Sequence, residues 1–376
     1  MDNQALMRRA LRLARRAEGE VGHYPLVGAL VVKAGRVAGQ GYFQLPGEPH
    51  AEVKAIAAAG TKARGATLVL NLEPCCHWGR TPPCTDTVIR AGIRRVVAGM
   101  TDPNPKVAGN GFRRLRQAGL EVVTPVLEPE CRRLNEVFVK FITTRLPFVV
   151  LKVGATLDGK IATRAGESRW ITGAAARREV HRLRAKADAV MVGAATVMRD
   201  DPELTARLGK KVRHPRPVVV DEALRISPRS RFLRPCPRKG KPIVATTRRA
   251  GPKRIRAFAA AGAEVLVLPQ DRQGRVDVRA MMRALGEREI ASVLLEGGAE
   301  LNASMVAAGL VDKVIVFVAP KLLGGWKSRP MIGGQGPARL RKALPLSGLS
   351  ARRVGEDLML TAYVGARLAV PLPKKA

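Results

Sequence analysis

The chain has 376 residues, enough for two domains, and its 46% hydrophobic content is ordinary for globular cores. No apolar stretch approaches the roughly 20 residues that span a bilayer, and five unevenly spaced cysteines, two of them adjacent, argue against a disulfide framework. The formal charge of +35 favours anionic partners, either nucleic acid or small phosphorylated molecules.

Residues 1–146 carry 22 Lys/Arg against 12 Asp/Glu, and the larger share of the excess lies beyond them. Because the charge is spread along the chain, without the aromatic pattern of an RNA-binding face, a solvated Arg-rich surface is the simpler account and nucleic acid is not favoured. The residue set also implies a reducing cytoplasm in which some thiols bind metal. It leaves a homo-oligomer open.

Leu6, Ala10, Leu13 and Ala17 fall on one helical face, which predicts a surface helix packed on a core. A cleaved mitochondrial presequence is the alternative, and Asp2, Glu18 and Glu20 count against it. Strands are predicted over 26–32, 66–72, 94–99 and 120–123, with helices over 51–59, 84–91 and 111–118 between them. Gly92, Gly119 and the Asp102-Pro103-Asn104-Pro105 loop punctuate this block. Thr143 to Pro147 reads as a linker dividing a first domain, 1–144, from a second, 147–366.

The second block opens on an apolar strand, 148–153. Thr172 is placed to cap a helix ending near Lys186. Buried strands are predicted over 188–193, 217–221, 242–246, 264–268, 291–295 and 313–319, with a helix from Gly298 to about Ala308. The last ten residues read as a loose tail. Alternating strands and helices predict an α/β protein with mostly parallel sheets.

Chemistry is concentrated at His50-Ala51-Glu52, Pro74-Cys75 and Pro83-Cys84. One His and two Cys make a three-ligand zinc site of the catalytic kind, with a fourth position open for an activated water. His50 and Glu52 converge only if the metal sits at the start of the helix, and Glu52 is then free to move protons. Histidine-x-glutamate followed by the two cysteines is the signature of zinc nucleobase deaminases, although the cysteines here lie nine positions apart. Cys76 and His77 are rival ligands, and a purely structural zinc would leave Glu52 without a role. Cys131 and Cys236 read as packing or surface thiols.

The run Gly47-x-x-His50-Ala51-Glu52, the run Leu72-Glu73-Pro74-Cys75-Cys76-His77-x-Gly79-Arg80-Thr81-Pro82-Pro83-Cys84, and Asp102-Pro103-Asn104-Pro105-x-Val107-Ala108-Gly109 resemble the bifunctional deaminase–reductase family of riboflavin biosynthesis. The second block resembles the family's reductase half through Leu157-Asp158-Gly159-Lys160, Gly166-Glu167-Ser168-x-Trp170-Ile171-Thr172-Gly173, the stretch from Thr196 to Arg207, and Glu296-Gly297-Gly298. The resemblance covers about residues 1–365.

It implies a cytidine-deaminase-like domain followed by a dihydrofolate-reductase-like domain. The first would deaminate 2,5-diamino-6-(5-phosphoribosylamino)pyrimidin-4(3H)-one with zinc, and the second would use NADPH to reduce the ribosyl group of the product to ribityl. It further implies that Gly154, Trp170, Thr196, Asp200, Gly297 and Gly298 bind the cofactor. Arg184 and Arg207 would hold the substrate phosphate beside Ser168 and Leu204, with Lys152 and Glu296 also on substrate. From the residues alone, Gly297 and Gly298 fit a tight turn as well as a phosphate approach.

The chain departs from the family at Tyr24, where an Asn is usual, and at Phe43, where a His is usual. Both departures concern the rim of the deaminase pocket. Two alternatives follow from the same residues: an RNA-binding deaminase, or a reductase whose deaminase half is inactive.

Overall fold

Leu6, Met7, Ala10, Leu11, Leu13 and Ala14 are buried along α1 (Asn3–Ala14), the first helix of the computed structural model. The structure describes residues 2–209, 212–236 and 240–365, so the tail expected over the last ten residues lies outside the described residues. The chain divides into two units, Met1–Arg145 and Leu146–Ala376.

In the first unit the order after α1 is β1 (Gly28–Lys33), β2 (Arg36–Tyr42), α2 (Ala51–Ala59), β3 (Thr67–Leu70), α3 (Cys84–Arg90), β4 (Arg95–Ala98), α4 (Asn110–Gln117), β5 (Glu121–Val123), α5 (Glu128–Leu134) and α6 (Glu136–Thr144). The sheet runs β2-β1-β3-β4-β5. β1 is antiparallel to both neighbours, while β3, β4 and β5 are parallel.

β2 has no counterpart in the sequence reading, because Gly39 and Gly41 interrupt its apolar pattern. The fold needs Gly41 in particular: a Cβ there would lie 2.5 Å from the Ala51 carbonyl oxygen. The missing side chain lets α2 lie directly on β2, which fixes the end of α2 that carries His50. The expected linker also shifts. Thr143 and Thr144 close α6, each hydroxyl donating to a backbone carbonyl of the preceding turn, a bond that lets Thr end a helix instead of leaving it.

The second unit contains β6 (Phe148–Thr156), β7 (Lys160–Ala162), α7 (Ala174–Lys186), β8 (Ala189–Gly193), α8 (Ala194–Asp200), β9 (Arg216–Val220), β10 (Ile243–Thr246), α9 (Pro252–Ala260), β11 (Glu264–Val267), α10 (Val278–Gly286), β12 (Ser292–Leu295), α11 (Ala299–Ala307), β13 (Lys313–Ala319), β14 (Arg329–Pro330), β15 (Leu346–Val354) and β16 (Asp357–Val364). Its main sheet runs β11-β10-β9-β8-β12-β6-β13-β16-β15. Every pairing from β11 to β13 is parallel, and the β15–β16 hairpin adds two antiparallel strands at one edge.

Thr172 does not cap α7. Gly173 takes that position, and its N–H donates to the buried Asp357 carboxylate at 2.8 Å. A carboxylate brought in from the distant hairpin does the work that a local hydroxyl was expected to do, at the end of the helix dipole that favours negative charge.

Candidate active sites

The first site forms where three element boundaries meet. His50 is the residue before α2, Cys84 opens α3, and Cys75 follows β3 in a short irregular segment. The ligand atoms of His50, Cys75 and Cys84 lie within 4.8 Å of one another, and among the described residues they are the one such group able to hold a metal ion.

His50 Nδ1 is 3.1 Å from Cys84 Sγ and 3.7 Å from Cys75 Sγ. Tetrahedral zinc with bonds of about 2.0–2.3 Å separates its ligands by roughly 3.3–3.8 Å, so this donor set fits the ion. The ring's other nitrogen, Nε2, is 3.3 Å from Thr81 Oγ1, the kind of outer contact that sets the orientation of a histidine ligand. Cys76 and His77 stand outside the cluster.

The thiols are differentiated by their hydrogen bonds. Cys75 is held well below the usual thiol range by the Cys84 thiol, then by His50 and the Cys84 backbone N–H, which outweigh burial. Cys84, as the donor to Cys75, is pushed up. Glu52, on the first turn of α2, is buried, and burial pushes its carboxyl up to about 7, with His50 opposing the shift.

Tyr24 and Phe43 form an aromatic wall leading to this cluster. Their ring centroids are 5.9 Å apart, and Phe43 meets the His50 ring edge-on at 5.6 Å. The Arg80 guanidinium lies 5.8 Å from the Tyr24 ring centre.

Glu73 lies two residues before Cys75 and organises the backbone around it. It is buried and accepts backbone N–H groups from Asp102, Gly109 and Phe112 at 2.9–3.1 Å. One carboxylate thereby holds the whole 102–112 segment against the end of β3. An acid closing a buried strand just ahead of two metal ligands was the available signal.

The second site is a cleft of about 540 Å³ beyond the carboxyl ends of β8 and β12, where successive strands leave in opposite directions along the sheet. Lys152, Gly154, Ser168, Trp170, Arg184, Thr196, Asp200, Leu204, Arg207, Glu296, Gly297 and Gly298 all line it. Residues spread over 147 positions of sequence are thus brought to one cavity by β6, α7, α8, the loops before α7 and after α8, and the turn between β12 and α11.

At its base the Glu296 side chain, only 8% exposed, is ion-paired to Arg184 at 2.6 Å and to Lys152 at 2.9 Å. Burial would raise the Glu296 carboxyl, but Arg184 and Lys152 outweigh it and hold the group ionised below the usual carboxylate range. Arg184 uses its Nε and Nη2 on Glu296 and donates Nη1 to the Thr205 carbonyl at 3.1 Å. Much of its fork is therefore engaged before any ligand arrives. Arg207 is the more available cation: its side chain is 61% exposed, and the Glu203 carboxylate is 3.8 Å away.

Trp170 is 61% exposed on the cleft wall, with the Arg177 guanidinium 4.4 Å from its ring centre and its carbonyl accepting from Lys321 at 2.9 Å. At Gly297 a Cβ would lie 2.6 Å from Asn302 Oδ1, so any larger residue would have to displace the Asn302 side chain of α11. Leu204 is buried in a left-handed conformation (φ 56°), a strained backbone for a leucine.

The RibD C-terminal domain family matches residues 147–360, and the cytidine and deoxycytidylate deaminase zinc-binding region matches residues 1–100. The chain belongs to the RibD family. It is 42% identical to riboflavin biosynthesis protein RibD of Actinobacillus pleuropneumoniae, over 94% of this chain and 93% of that one. It is 40% identical to the Escherichia coli K12 RibD over 96% and 99%.

Among solved structures, an Acinetobacter baumannii RibD superposes with a TM-score of 0.84 at 34% identity, covering 96% of this chain and 98% of that one. A diaminohydroxyphosphoribosylaminopyrimidine deaminase/5-amino-6-(5-phosphoribosylamino)uracil reductase from Thermotoga maritima gives 0.81 at 35% identity with the same coverage. The fold is accordingly cytidine-deaminase-like and then reductase-like, and the enzyme is bifunctional, a deaminase and a reductase of riboflavin biosynthesis. Zinc and NADPH are the cofactors of RibD chains. An RNA-binding deaminase is not favoured by this membership.

Proposed function

We propose that residues 1–144 deaminate 2,5-diamino-6-(5-phosphoribosylamino)pyrimidin-4(3H)-one hydrolytically. Residues 147–366 then reduce the ribosyl group of 5-amino-6-(5-phosphoribosylamino)uracil to ribityl. The observation that carries the first half is the buried Glu52 beside the His50, Cys75 and Cys84 cluster.

His50, Cys75 and Cys84 are the proposed zinc ligands, and zinc supplies a Lewis acid and an activated water when bound. Glu52 is the proposed acid–base residue. A carboxyl that holds a proton close to neutral pH can take one from a nucleophile and return it to a departing amine. Thr81 fixes the His50 ring, and Glu73 fixes the loop that carries Asp102. Tyr24, Phe43 and Arg80 would meet the flat face and anionic end of the pyrimidine nucleotide.

In the second unit, NADPH supplies the hydride, and the chain positions the partners. Gly154, Trp170, Thr196, Asp200, Gly297 and Gly298 are proposed to receive the cofactor. Lys152, Ser168, Leu204 and Arg207 are proposed to receive the substrate. Glu296 and Arg184 join them as a fixed ion pair at the base, with Arg207 as the main phosphate cation. The reducing cytoplasm is the compartment that suits thiol ligands. No helix among the described residues is long and apolar enough to cross a membrane.

The test is coupled. The full-length protein is given the diaminopyrimidine phosphate and NADPH, and ammonia and absorbance at about 340 nm are followed together, the wavelength being that of the reduced nicotinamide. Ammonia release followed by NADPH loss is expected. NADPH loss without ammonia would leave the deaminase half inactive, and neither signal would overturn the reading.

A further inference from the structure

We propose that Arg169 and Lys321 are positioning residues of the second site, tying the segment that carries Ser168 and Trp170 to the cleft wall from two sides. The inference rests on reading this cleft as the reductase site, with Trp170 on the cofactor and Ser168 on the substrate.

Residues 163–173 form no helix or strand between β7 and α7. Trp170 is exposed despite its size, so no core packing fixes the indole where it lines the cleft. Its place depends on polar contacts of the backbone around it, and two side chains supply them. Arg169 Nη2 donates to the carbonyl oxygen of Asp200, the last residue of α8, at 2.9 Å, and lies 3.6 Å from the Asp200 carboxylate. Lys321 Nζ donates to the Trp170 carbonyl oxygen at 2.9 Å. Arg177 adds a cation 4.4 Å from the centre of the ring but does not hold this backbone.

Each tether is anchored at its far end. On the α8 side, Arg199 packs against the start of the segment: a Cβ on Gly166 would come within 3.1 Å of its guanidinium. On the other side, Lys321 follows β13, and its carbonyl accepts the Leu157 N–H at 2.8 Å. The Asp158 carboxylate then accepts the N–H groups of Leu323 and Gly324 at 3.1 and 2.8 Å. The β6–β7 turn thus grips the stretch from which Lys321 reaches Trp170. Lys321 does not line the cleft, so it acts through Trp170. Arg169 stands between Ser168 and Trp170 in sequence, so its tether sets both neighbours.

Exposed bonds of this kind add little to folding stability, because water replaces them once they break. Their effect is on where two side chains stand before a ligand arrives. A site already ordered binds more tightly than one the ligand must order. Loss of a tether therefore appears in affinity ahead of stability, which separates a positioning role from a structural one.

The experiment compares full-length wild type with Lys321→Met, Lys321→Arg, Arg169→Met and Arg169→Lys. KM for NADPH, KM for the deaminated substrate and kcat are measured from NADPH oxidation. NADPH is also titrated alone, and a thermal melt and ammonia release are recorded on the same samples. Lys321→Met is expected to raise KM and the dissociation constant for NADPH by about three- to tenfold, the range of one lost hydrogen bond. Its kcat and its KM for the deaminated substrate should change by less than about twofold. Arg169→Met should raise both KM values, because Ser168 and Trp170 flank it. Lys321→Arg and Arg169→Lys keep a charged donor and should restore most of the affinity. All four should melt and release ammonia like wild type.

Methionine variants that match wild type in both KM values and in NADPH affinity overturn the inference and leave the reductase reading standing. A lowered melt in which kcat falls along with affinity, unrescued by the conservative variants, also overturns it as the mark of structural support. If wild type neither binds NADPH nor oxidises it with the deaminated substrate, the reductase reading falls and the inference with it.

Discussion

Glu296 and Arg184 face each other across the base of the second cleft as a two-point pair, Nε to Oε1 at 2.6 Å and Nη2 to Oε2 at 3.0 Å. Both side chains are nearly enclosed, so removing one charge leaves the other without its partner where water cannot replace it. Glu296→Gln is expected to destabilise the second unit by about 3 kcal/mol. NADPH oxidation should fall by about tenfold or more, equivalent to a barrier increase of roughly 1.4 kcal/mol. Ammonia release should persist. Calorimetry and the two activity assays on one preparation check this, and unchanged NADPH oxidation would show the pair to be structural only.

Glu73 offers the corresponding test in the first unit. Its carboxylate accepts three backbone N–H groups, and Gln would turn an amide NH₂ toward at least one of them. A loss of about 3 kcal/mol is expected from exchanging charge-assisted bonds for a mismatched one. Because the 102–112 segment would then loosen beside the cluster, ammonia release should fall with stability. A melt of Glu73→Gln against wild type, with ammonia and NADPH assays in parallel, decides whether the effect stays in this unit.

Glu52 and the three metal ligands separate chemistry from metal binding. Glu52→Gln keeps the His50, Cys75 and Cys84 atoms, so it should retain one zinc per chain by elemental analysis. Its ammonia release should drop by roughly a hundredfold to ten-thousandfold, the range of a lost acid–base residue. Chelation should abolish ammonia release in wild type while reduction of the already deaminated substrate continues. Zinc loss in Glu52→Gln would instead make Glu52 a structural support.

How much of this was legible in the sequence depended on where each residue's partners lie. His50, Cys75 and Cys84 were readable because their side-chain chemistry is specific, and a zinc site leaves few other uses for them in that spacing. Glu73 was not, because its partners are backbone groups 29 to 39 positions later. β2 escaped notice since Gly39 and Gly41 look like breakers until α2 is seen lying on them. The β15–β16 hairpin lacks a clean alternating pattern because β15 is an exposed edge strand. In the second cleft each residue taken singly looked like surface charge or core, and only the resemblance drew them together.

The same Glu296 pair fixes how the second unit responds to acid. In the unfolded chain this carboxyl titrates near its ordinary value of 4.5, whereas in the fold Arg184 and Lys152 overcome burial and hold it far lower. Between those two values the unfolded state binds the proton and the folded state does not, so stability falls as pH falls. Above the unfolded value the contribution is complete and independent of pH. The stability difference between wild type and Glu296→Gln should therefore be constant from neutral pH to about pH 5, then narrow steadily toward about pH 2, because glutamine has no proton to bind. Calorimetric scans of both proteins across that range measure it directly, following the transition that Glu296→Gln shifts. A difference that stayed constant down to the acid limit would mean that Glu296 is not held ionised by its two cations. The fixed charge at the base of the cleft would then have to be assigned elsewhere.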